Sequence, residues 1–403
     1  MIEFDLTEEN LMLEQSVREW SAVEVAPQIR QLDREHRFDK SILKKMGALG
    51  LLGLCVPKKY GGVGMDYVSL GLASEELEYV DTSLRVILSV HLGLNCLSIL
   101  TWGNEDQKLR YLVPQAKGER IATYGLTEPG AGSDVRGIQT VARKEGDRYL
   151  LTGEKMWISL ADVADHFLVF AWSDLEKKKA RDPAGLTAFI VEREFEGFAS
   201  GSLTEKWGIL AGNTGFFKME EMEVPEENVL GKPGEGFKIA MSALDQGRYT
   251  VAAGAAGLIR ACRDASEKYA KERRTFGVEI GRHQLVKAMI ANMESTYQAS
   301  RLLWLRAGWL KNEGRRNTRE TGLAKWFSTE ASEKAASDAV QIHGANGYSD
   351  EYPVGRFYRN CKGAVIYEGT KEIHSLMQAD YVLGYRVDKA TRCELPKYSE
   401  FEK

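Results

Sequence analysis

Cysteine is scarce in this chain of 403 residues, and the few cysteines form no pattern. The five cysteines are odd in number and widely scattered, and no CxxC pair is present. This distribution argues against a disulfide framework, predicts no metal site of the zinc type, and indicates a reducing compartment. The length is enough for two or three domains with a large buried core.

An excess of one charge sign is also missing. The chain has 54 basic and 58 acidic side chains and a net charge of −4, which argues against nucleic acid or an anionic membrane surface as the main partner. The segment Met1–Asp5 is acidic and lacks the hydrophobic core of a signal peptide. Only Val86–Gly103 is uncharged over a length near the membrane-spanning minimum. Because it contains His91 and Asn95, we expect a buried helix rather than a membrane span.

The periodicity of apolar residues changes twice along the chain. The first part is helical, and Thr7 is placed to cap its first helix. The middle part reads as strands, with a hairpin from Thr140–Ala142 to Tyr149–Thr152. Long helices follow, and Gly236–Arg274 is rich in alanine and glycine, as close helix packing requires.

This order predicts an α+β protein with segregated layers. The predicted units are an N-terminal α-helical domain, a middle β domain, a C-terminal helical bundle and a tail, at residues 1–122, 123–233, 234–385 and 386–403.

Glu368 is a candidate general base. It lies between Tyr367 and Gly369 at the start of a predicted helix. An aromatic neighbour can desolvate a carboxylate and raise its proton affinity, and a glycine lets the backbone come close to a ligand. These features suit the removal of a weakly acidic C–H proton.

A loop rich in glycine, Tyr124–Asp134, can cradle an anion such as a pyrophosphate with its backbone amides. Thr127 is placed to hydrogen-bond a ring heteroatom. The loop has neither the ending of a P-loop nor the strand and helix that a Rossmann fingerprint needs. The alternative is an ordinary connection.

Three further runs suit a bound cofactor. Trp157 can wall a flat ring and Ser159 can donate to it, or the tryptophan packs in a sheet core. Arg273 can pair with a phosphate, or it ends a helix where cations are favoured. Gly344 and Gly347 permit close approach of the backbone to a ligand, or they mark a helix end.

Five motifs occur in order: YGLTEPGAGSD, WIS, RRTFG followed by HQ, QIHGANGY, and IYEGT. With their spacing, this set resembles the acyl-CoA dehydrogenase family of mitochondrial and bacterial flavoproteins over nearly the whole chain, up to Gly384. The resemblance implies an acyl-CoA dehydrogenase fold, a homotetramer, FAD as cofactor, and electron-transferring flavoprotein as acceptor. It also implies a bacterial cytoplasmic or mitochondrial matrix location.

The resemblance also assigns roles to residues. Glu368 would be the base that abstracts the α-proton of a thioester while a hydride leaves Cβ for the flavin. Residues near FAD would be Tyr124, Leu126, Thr127, Gly132, Ser133, Trp157, Ile158, Ser159, Arg273, Phe276, Gln284, Gln341, Gly344, Gly347, Thr370 and Glu372. Arg273, Phe276 and Gln284 would reach the FAD of a partner subunit, and Gln341 to Gly347 its adenosine end. Residues near the acyl-CoA would be Glu78, Arg85, Ser89, Ser133, Asp245, Arg248, Tyr367 and Gly369.

Arg85 bears on the substrate because it lies in an otherwise apolar stretch. A buried arginine needs a partner, which is either an internal carboxylate, Glu78 or Asp81, or a carboxylate at the far end of the acyl chain. At this position the sequence is similar to glutaryl-CoA dehydrogenases. Benzylsuccinyl-CoA dehydrogenases also hold a carboxylate, and short-chain fatty acyl-CoA dehydrogenases would leave Arg85 a structural role.

Overall fold

The computed structural model describes residues 5–401. Residues 1–4, at the start of the predicted N-terminal domain, and residues 402–403, at the end of the predicted tail, lie outside the described residues. Within that range the chain forms a helical layer, then a sheet, then a second set of longer helices. The predicted α+β class is confirmed.

The first layer is built from short helices. They are α1 Glu8–Glu24, α2 Ala26–Arg34, α3 Ser41–Ala48, α4 Tyr67–Val80, α5 Thr82–Leu88, α6 Leu97–Trp102, α7 Glu105–Gln107 and α8 Val113–Ala116. The predicted cap is confirmed, because the Thr7 hydroxyl accepts from Asn10 N–H and the Asn10 side-chain oxygen accepts from Thr7 N–H.

The run Thr82–Trp102 is continuous helix, and its middle, Ser89–Cys96, is wound as a π-helix. By length and composition this run is able to cross a membrane, but 89% of its apolar window lies buried inside the fold. Such burial is typical of the core helix of a globular domain. It carries Arg85 and Ser89 into the interior, where both are almost fully buried.

The middle layer is a mixed sheet. Its strands are β1 Ala122–Gly125, β2 Val141–Glu145, β3 Arg148–Ser159, β4 His166–Trp172, β5 Leu186–Glu192, β6 Phe198–Ser202, β7 Thr214–Pro225 and β8 Val229–Leu230, and β9 Arg274–Thr275 pairs with β10 Val278–Glu279 apart from it. The order is β6-β7-β3-β2-β4-β5-β8, and β1 lies parallel to β4. The predicted hairpin is confirmed with Val141 opposite Thr152.

A short helix, α9 Leu175–Lys179, lies between β4 and β5. The C-terminal layer consists of α10 Gly236–Glu272, α11 Gln284–Asn312, α12 Thr318–His343, α13 Val354–Ala364 and α14 Lys371–Leu383. The helix α10 is 37 residues long and packs between α4, α11 and α12. Its glycines allow this closeness, because a side chain at Gly257 would overlap the backbone of Glu75 in α4.

The segment after Gly384 packs back on the helical layers. The Tyr67 hydroxyl donates to Pro396 O at 2.7 Å, and Phe401 is buried with its ring edge-on to Tyr67. Arg392 pairs with Glu235 just before α10. The tail therefore ties the start of α4 to the start of α10.

Candidate active site

Glu368 lies in the turn between α13 and α14 with a left-handed backbone. Its φ is 55°, and that of Gly369 is 96°. For a residue with a side chain this conformation costs about 1–2 kcal/mol, so the surroundings must hold it. Thr370 begins α14 directly afterwards, and its hydroxyl accepts from Ile373 N–H.

Three side chains from three helices hold the two carbonyl groups of this turn. Arg248 of α10 donates from Nε to Glu368 O at 3.1 Å, and Lys325 of α12 donates to Gly369 O at 2.6 Å. His374 of α14 places Nε2 at 3.4 Å from Glu368 O. Together these contacts fix the direction of the Glu368 side chain.

The Glu368 carboxylate is buried although the residue as a whole is partly exposed. Oε1 accepts from the Ser89 hydroxyl at 3.0 Å, and Oε2 is buried with no hydrogen-bond partner in the described part of the chain. A side chain at Gly247 of α10 would overlap Oε2. Burial raises the pKa of Glu368, and Arg85, Ser89 and the neighbouring cations oppose this rise. The result is a dry carboxylate with raised proton affinity.

Lys325 is a member of this site that the sequence analysis missed. It is fully buried, and burial lowers its pKa to about 7, while the nearby Glu368 carboxylate raises it. A lysine within a helical pattern is ordinarily taken as a solvated side chain. Apart from its position among apolar residues of α12, the sequence contains no signal that it faces the base.

Arg85 is paired inside the protein. Its Nε lies 2.5 Å from Glu78 Oε2, and both side chains are about 1% exposed. Its guanidinium also donates to the Tyr367 hydroxyl and lies over that ring, 5.3 Å from the centroid. Burial opposes the charge, but Glu78 raises the pKa of Arg85 above its ordinary value. Of the two expected internal partners, Glu78 is therefore the one found.

Asp81, the other expected partner of Arg85, is occupied elsewhere. It bonds to Arg356 and accepts from Asn360 Nδ2 at 3.0 Å. Tyr367 joins Arg85 to Glu368, its neighbour in sequence. The pair and the base therefore belong to one buried cluster.

A buried ion pair anchors the glycine-rich loop. Lys155 of β3 donates to Glu128 Oε1 at 2.7 Å and to the carbonyls of Leu126 and Phe170 at 3.2 and 2.8 Å. Glu128 also accepts from Thr140 N–H at 3.1 Å. Burial lowers the pKa of Lys155 to about 8. The stem of the loop is thus fixed, while Gly132 and Ser133 beyond it are exposed.

Trp157 stands beside this loop. Met156 N–H donates to Thr127 O at 3.0 Å, which joins β3 to the loop. A bulge follows between Met156 and Ile158, where Trp157 takes a φ of 63° and leaves its side chain 59% exposed. An exposed indole next to open loop amides fits a flat heterocycle that carries a phosphate, as FAD does.

The other predicted residues of this group lie close by. Tyr124, Leu126 and Ile158 are buried, and the Tyr124 hydroxyl donates to Ala240 O at 3.2 Å. Ser159 accepts through its carbonyl from the Thr123 hydroxyl at 2.5 Å. Because Ala240 is in the first turns of α10, this group lies at the same end of α10 as Glu368.

Asp245 and Arg248 also lie near the base. Arg248 donates to Asp245 Oδ1 at 3.1 Å, and Asp245 Oδ2 accepts from the Thr318 hydroxyl at 2.6 Å. Both side chains are mostly buried. Within this chain they hold each other and the Glu368 carbonyl, a structural role beside the predicted one at the thioester arm.

The remaining residues predicted to bind the cofactor form a second group at the far end of α10. Asn346 donates to the Tyr269 hydroxyl at 2.9 Å, and the His343 ring stacks on Tyr269 at 4.3 Å. Members of this group are Arg273, Phe276, Gln284, Gln341, Gly344 and Gly347. From Ala240 to Arg273 the helix runs about 50 Å at 1.5 Å per residue. One chain therefore does not bring the two groups to the same cofactor.

Thr370 and Glu372 belong with the first group, because they open α14 directly after Glu368. Phe276 in the second group is 96% exposed and has a φ of 48°. Its ring makes an edge-on contact with His283, with the centroids 6.0 Å apart, and is otherwise open to solvent.

Family models match this chain over three stretches. They are the acyl-CoA dehydrogenase N-terminal domain at residues 7–119, the middle domain at 123–222 and the C-terminal domain at 234–383. Among curated relatives, the short-chain specific acyl-CoA dehydrogenase of Clostridium acetobutylicum is 41% identical over 93% of this chain and 98% of its own. The glutaryl-CoA dehydrogenase of Desulfococcus multivorans is 40% identical over 97% of this chain and 100% of its own.

Among solved structures, a glutaryl-CoA dehydrogenase in complex with glutaryl-CoA superposes with a TM-score of 0.92. It is 39% identical in sequence, and the match covers 98% of this chain and 99% of that one.

Proposed function

This chain belongs to the acyl-CoA dehydrogenase family, and from that premise we propose that it desaturates a carboxylate-bearing acyl-CoA of the glutaryl-CoA type, with Glu368 as base. Members of the family are oxidoreductases that act on CH–CH donors and depend on FAD. The observation that carries the proposal is the buried cluster of Glu368, Tyr367 and Arg85, in which a base and a cation lie side by side.

The base acts on the α-proton of the thioester. Desolvation raises the pKa of Glu368, which brings its proton affinity closer to that of a weak carbon acid. Ile366 N–H and Tyr367 N–H both donate to Gly363 O, whereas within the described residues no backbone carbonyl accepts from Glu368 N–H. This amide is free to stabilise the oxygen of an enolate. A bound FAD would supply the acceptor for the hydride that leaves Cβ.

The residues that would hold FAD are those of the first group, around Thr127 and Trp157. The open amides of Gly132 and Ser133 would take its phosphates, and the exposed indole would cover the ring. The second group would serve the FAD of a neighbouring subunit, because α10 separates the two groups.

A homotetramer is part of the proposal. Several apolar side chains on the C-terminal helices are exposed in the single chain, and a subunit interface on these helices would bury them. They are Leu285, Leu302, Phe327, Leu376 and Val382, exposed by 79, 50, 36, 63 and 74%. We also propose electron-transferring flavoprotein as the acceptor and a bacterial cytoplasmic or mitochondrial matrix location, as in the family.

Short-chain acyl-CoA desaturation is a second candidate, and one observation favours it. The charge of Arg85 is already balanced by Glu78 at 2.5 Å, so the guanidinium has a structural role without any ligand. A substituted succinyl-CoA such as benzylsuccinyl-CoA is a third substrate with a carboxylate for Arg85 to hold.

Steady-state turnover of glutaryl-, benzylsuccinyl- and butyryl-CoA tests the proposal. We expect the highest kcat/KM with glutaryl-CoA, and a fall of about 10- to 100-fold in Arg85→Met, the worth of a charge-assisted bond. In Arg85→Met the buried Glu78 carboxylate loses its partner, which can destabilise the fold. The double variant Arg85→Met/Glu78→Gln removes that carboxylate, so its activity reports lost substrate binding and not lost folding. If butyryl-CoA is the best substrate and its turnover is unchanged in the double variant, the glutaryl-CoA proposal is wrong and the short-chain function is supported.

Glu368→Gln tests the base separately from the substrate. Loss of a general base lowers the rate by about 10² to 10⁴. Bleaching of the flavin absorbance by each acyl-CoA measures this step directly. Undiminished bleaching would show that another group takes the proton.

A further inference from the structure

Two buried hydroxyl groups, those of Ser89 and Thr250, are hydrogen-bonded in series to the Glu368 carboxylate. Ser89 lies between Glu368 and Thr250, with its Oγ 3.0 Å from Glu368 Oε1 and 2.7 Å from Thr250 Oγ1. Thr250 in turn donates to Gly247 O at 2.7 Å, one turn back in α10. Ser89 and Thr250 are fully buried.

Counting protons along this chain of atoms gives two arrangements. The Thr250 proton is committed to the Gly247 carbonyl, so Thr250 offers only lone pairs to Ser89. Ser89 has one proton and two acceptors in reach, Glu368 and Thr250. When Glu368 is ionised, the proton of Ser89 points to the carboxylate.

When Glu368 has taken up a proton, the arrangement reverses. A proton on Oε2 would be a buried donor without an acceptor within the described residues, which is costly. A proton on Oε1 instead donates to Ser89 Oγ, and the Ser89 proton turns to Thr250 Oγ1. Every hydroxyl is then still bonded, which matters because an unsatisfied buried donor is costly. Without Thr250 the second arrangement would leave the Ser89 proton without its acceptor.

We propose that Ser89 and Thr250 form a reversible hydroxyl relay that stabilises Glu368 in both its ionised and its protonated form, and that Thr250 is a positioning residue for the reaction. The inference rests on the proposed function in one respect, namely that Glu368 is the group that takes up the proton.

Charged groups also face Glu368 from each element packed against it. Arg85 of α5, Lys325 of α12 and Arg248 of α10 all favour the carboxylate. Tyr124 of β1 and His374 of α14 lie close as well. None of them changes in the hydroxyl variants below, so their contribution is common to all samples.

The test is an infrared pH titration of the free FAD-loaded enzyme. The C=O band of protonated Glu368 is assigned by its absence from Glu368→Gln, and no substrate is needed. We expect Thr250→Val to lower the midpoint by about one pH unit, because the protonated form loses its last acceptor. Ser89→Ala should raise the midpoint, because the bond to the ionised carboxylate that it removes is worth more than the neutral bond it removes from the protonated form.

Opposite shifts from adjacent hydroxyls are the signature of the relay. Thr250→Ser should restore the wild-type midpoint within a few tenths of a unit. In single-turnover bleaching, Thr250→Val should lower the limiting rate constant and leave the apparent Kd for the acyl-CoA unchanged, and Thr250→Ser should restore the rate. Shifts of equal sign, or no shift in a folded Thr250→Val, would overturn the relay. Thr250→Ala, which keeps the helix but not the hydroxyl, replaces Thr250→Val if valine prevents folding.

The two proposals fail in different ways. If Glu368→Gln keeps full activity, the base assignment is wrong. If Glu368→Gln is inactive but the midpoints do not move, only the relay is wrong.

Discussion

We expect Lys325→Met to be more stable than the wild type at acidic pH and less stable than the wild type at alkaline pH. In the folded protein burial lowers the pKa of this lysine from 10.5 to about 7. A difference of roughly 3.5 units corresponds to about 5 kcal/mol at 1.36 kcal/mol per unit. Because the side chain is fully buried, solvent does not screen this cost.

The sign follows from proton binding. Below pH 7 the lysine is charged in both states, and the folded state carries the whole penalty. Between pH 7 and 10.5 the unfolded chain binds the extra proton, so the stability of the wild type rises with pH. Methionine carries no penalty but leaves Gly369 O without its donor, at a cost of about 1–3 kcal/mol.

We therefore expect Lys325→Met to be more stable than the wild type at pH 6, by about 2–4 kcal/mol, and less stable at pH 10. Chemical denaturation at fixed FAD concentration, followed by circular dichroism, measures both. For Lys311→Met the stability difference from the wild type should change less between pH 6 and pH 10, because burial lowers the pKa of Lys311 only to about 8. For Lys44→Met, at an exposed position, the stability difference from the wild type should be the same at both pH values. Parallel stability curves for Lys325→Met and the wild type would refute the reasoning.

Two further predictions concern the base and the cofactor loop. Gly247→Ala should lower kcat by about 10²-fold, because its methyl group displaces the Glu368 carboxylate. Gly93→Ala is the control and should keep the wild-type kcat, because the nearest atoms are 3.7 Å from the added methyl group. Equal kcat values for the two variants would contradict the close approach of Gly247 to Glu368. Lys155→Met should weaken FAD binding to the apoprotein at least about tenfold, measured by calorimetry, because a broken buried pair leaves the Glu128 carboxylate uncompensated; unchanged affinity would show that the loop holds its shape without it.

The sequence predicted the elements whose side chains alternate or recur with a clear period. The hairpin of β2 and β3 is found where expected, and α10 begins at the predicted residue and ends two residues before its predicted end. Strands β1 and β6 were not predicted. The first is only four residues long and buried throughout, and the second is rich in glycine and serine, so neither shows alternation.

The site was predicted only in part, for a physical reason. Motifs pointed to Glu368, and its left-handed backbone was not visible because a positive φ at a glutamate is imposed by tertiary contacts. Lys325 and Thr250 sit in helices whose pattern tells which face is buried but not what that face meets. The sequence left Glu78, Asp81 and a substrate carboxylate as partners of Arg85, and of the two internal carboxylates only the fold could choose Glu78.

The length of α10 has a consequence for how the enzyme is handled. The residues expected to hold one cofactor are divided between two ends of a helix that lie about 50 Å apart, so a lone subunit would offer each cofactor only part of its contacts. Occupancy should then depend on total protein concentration, by mass action. Dilute stocks would lose their yellow colour and recover it on concentration with added FAD.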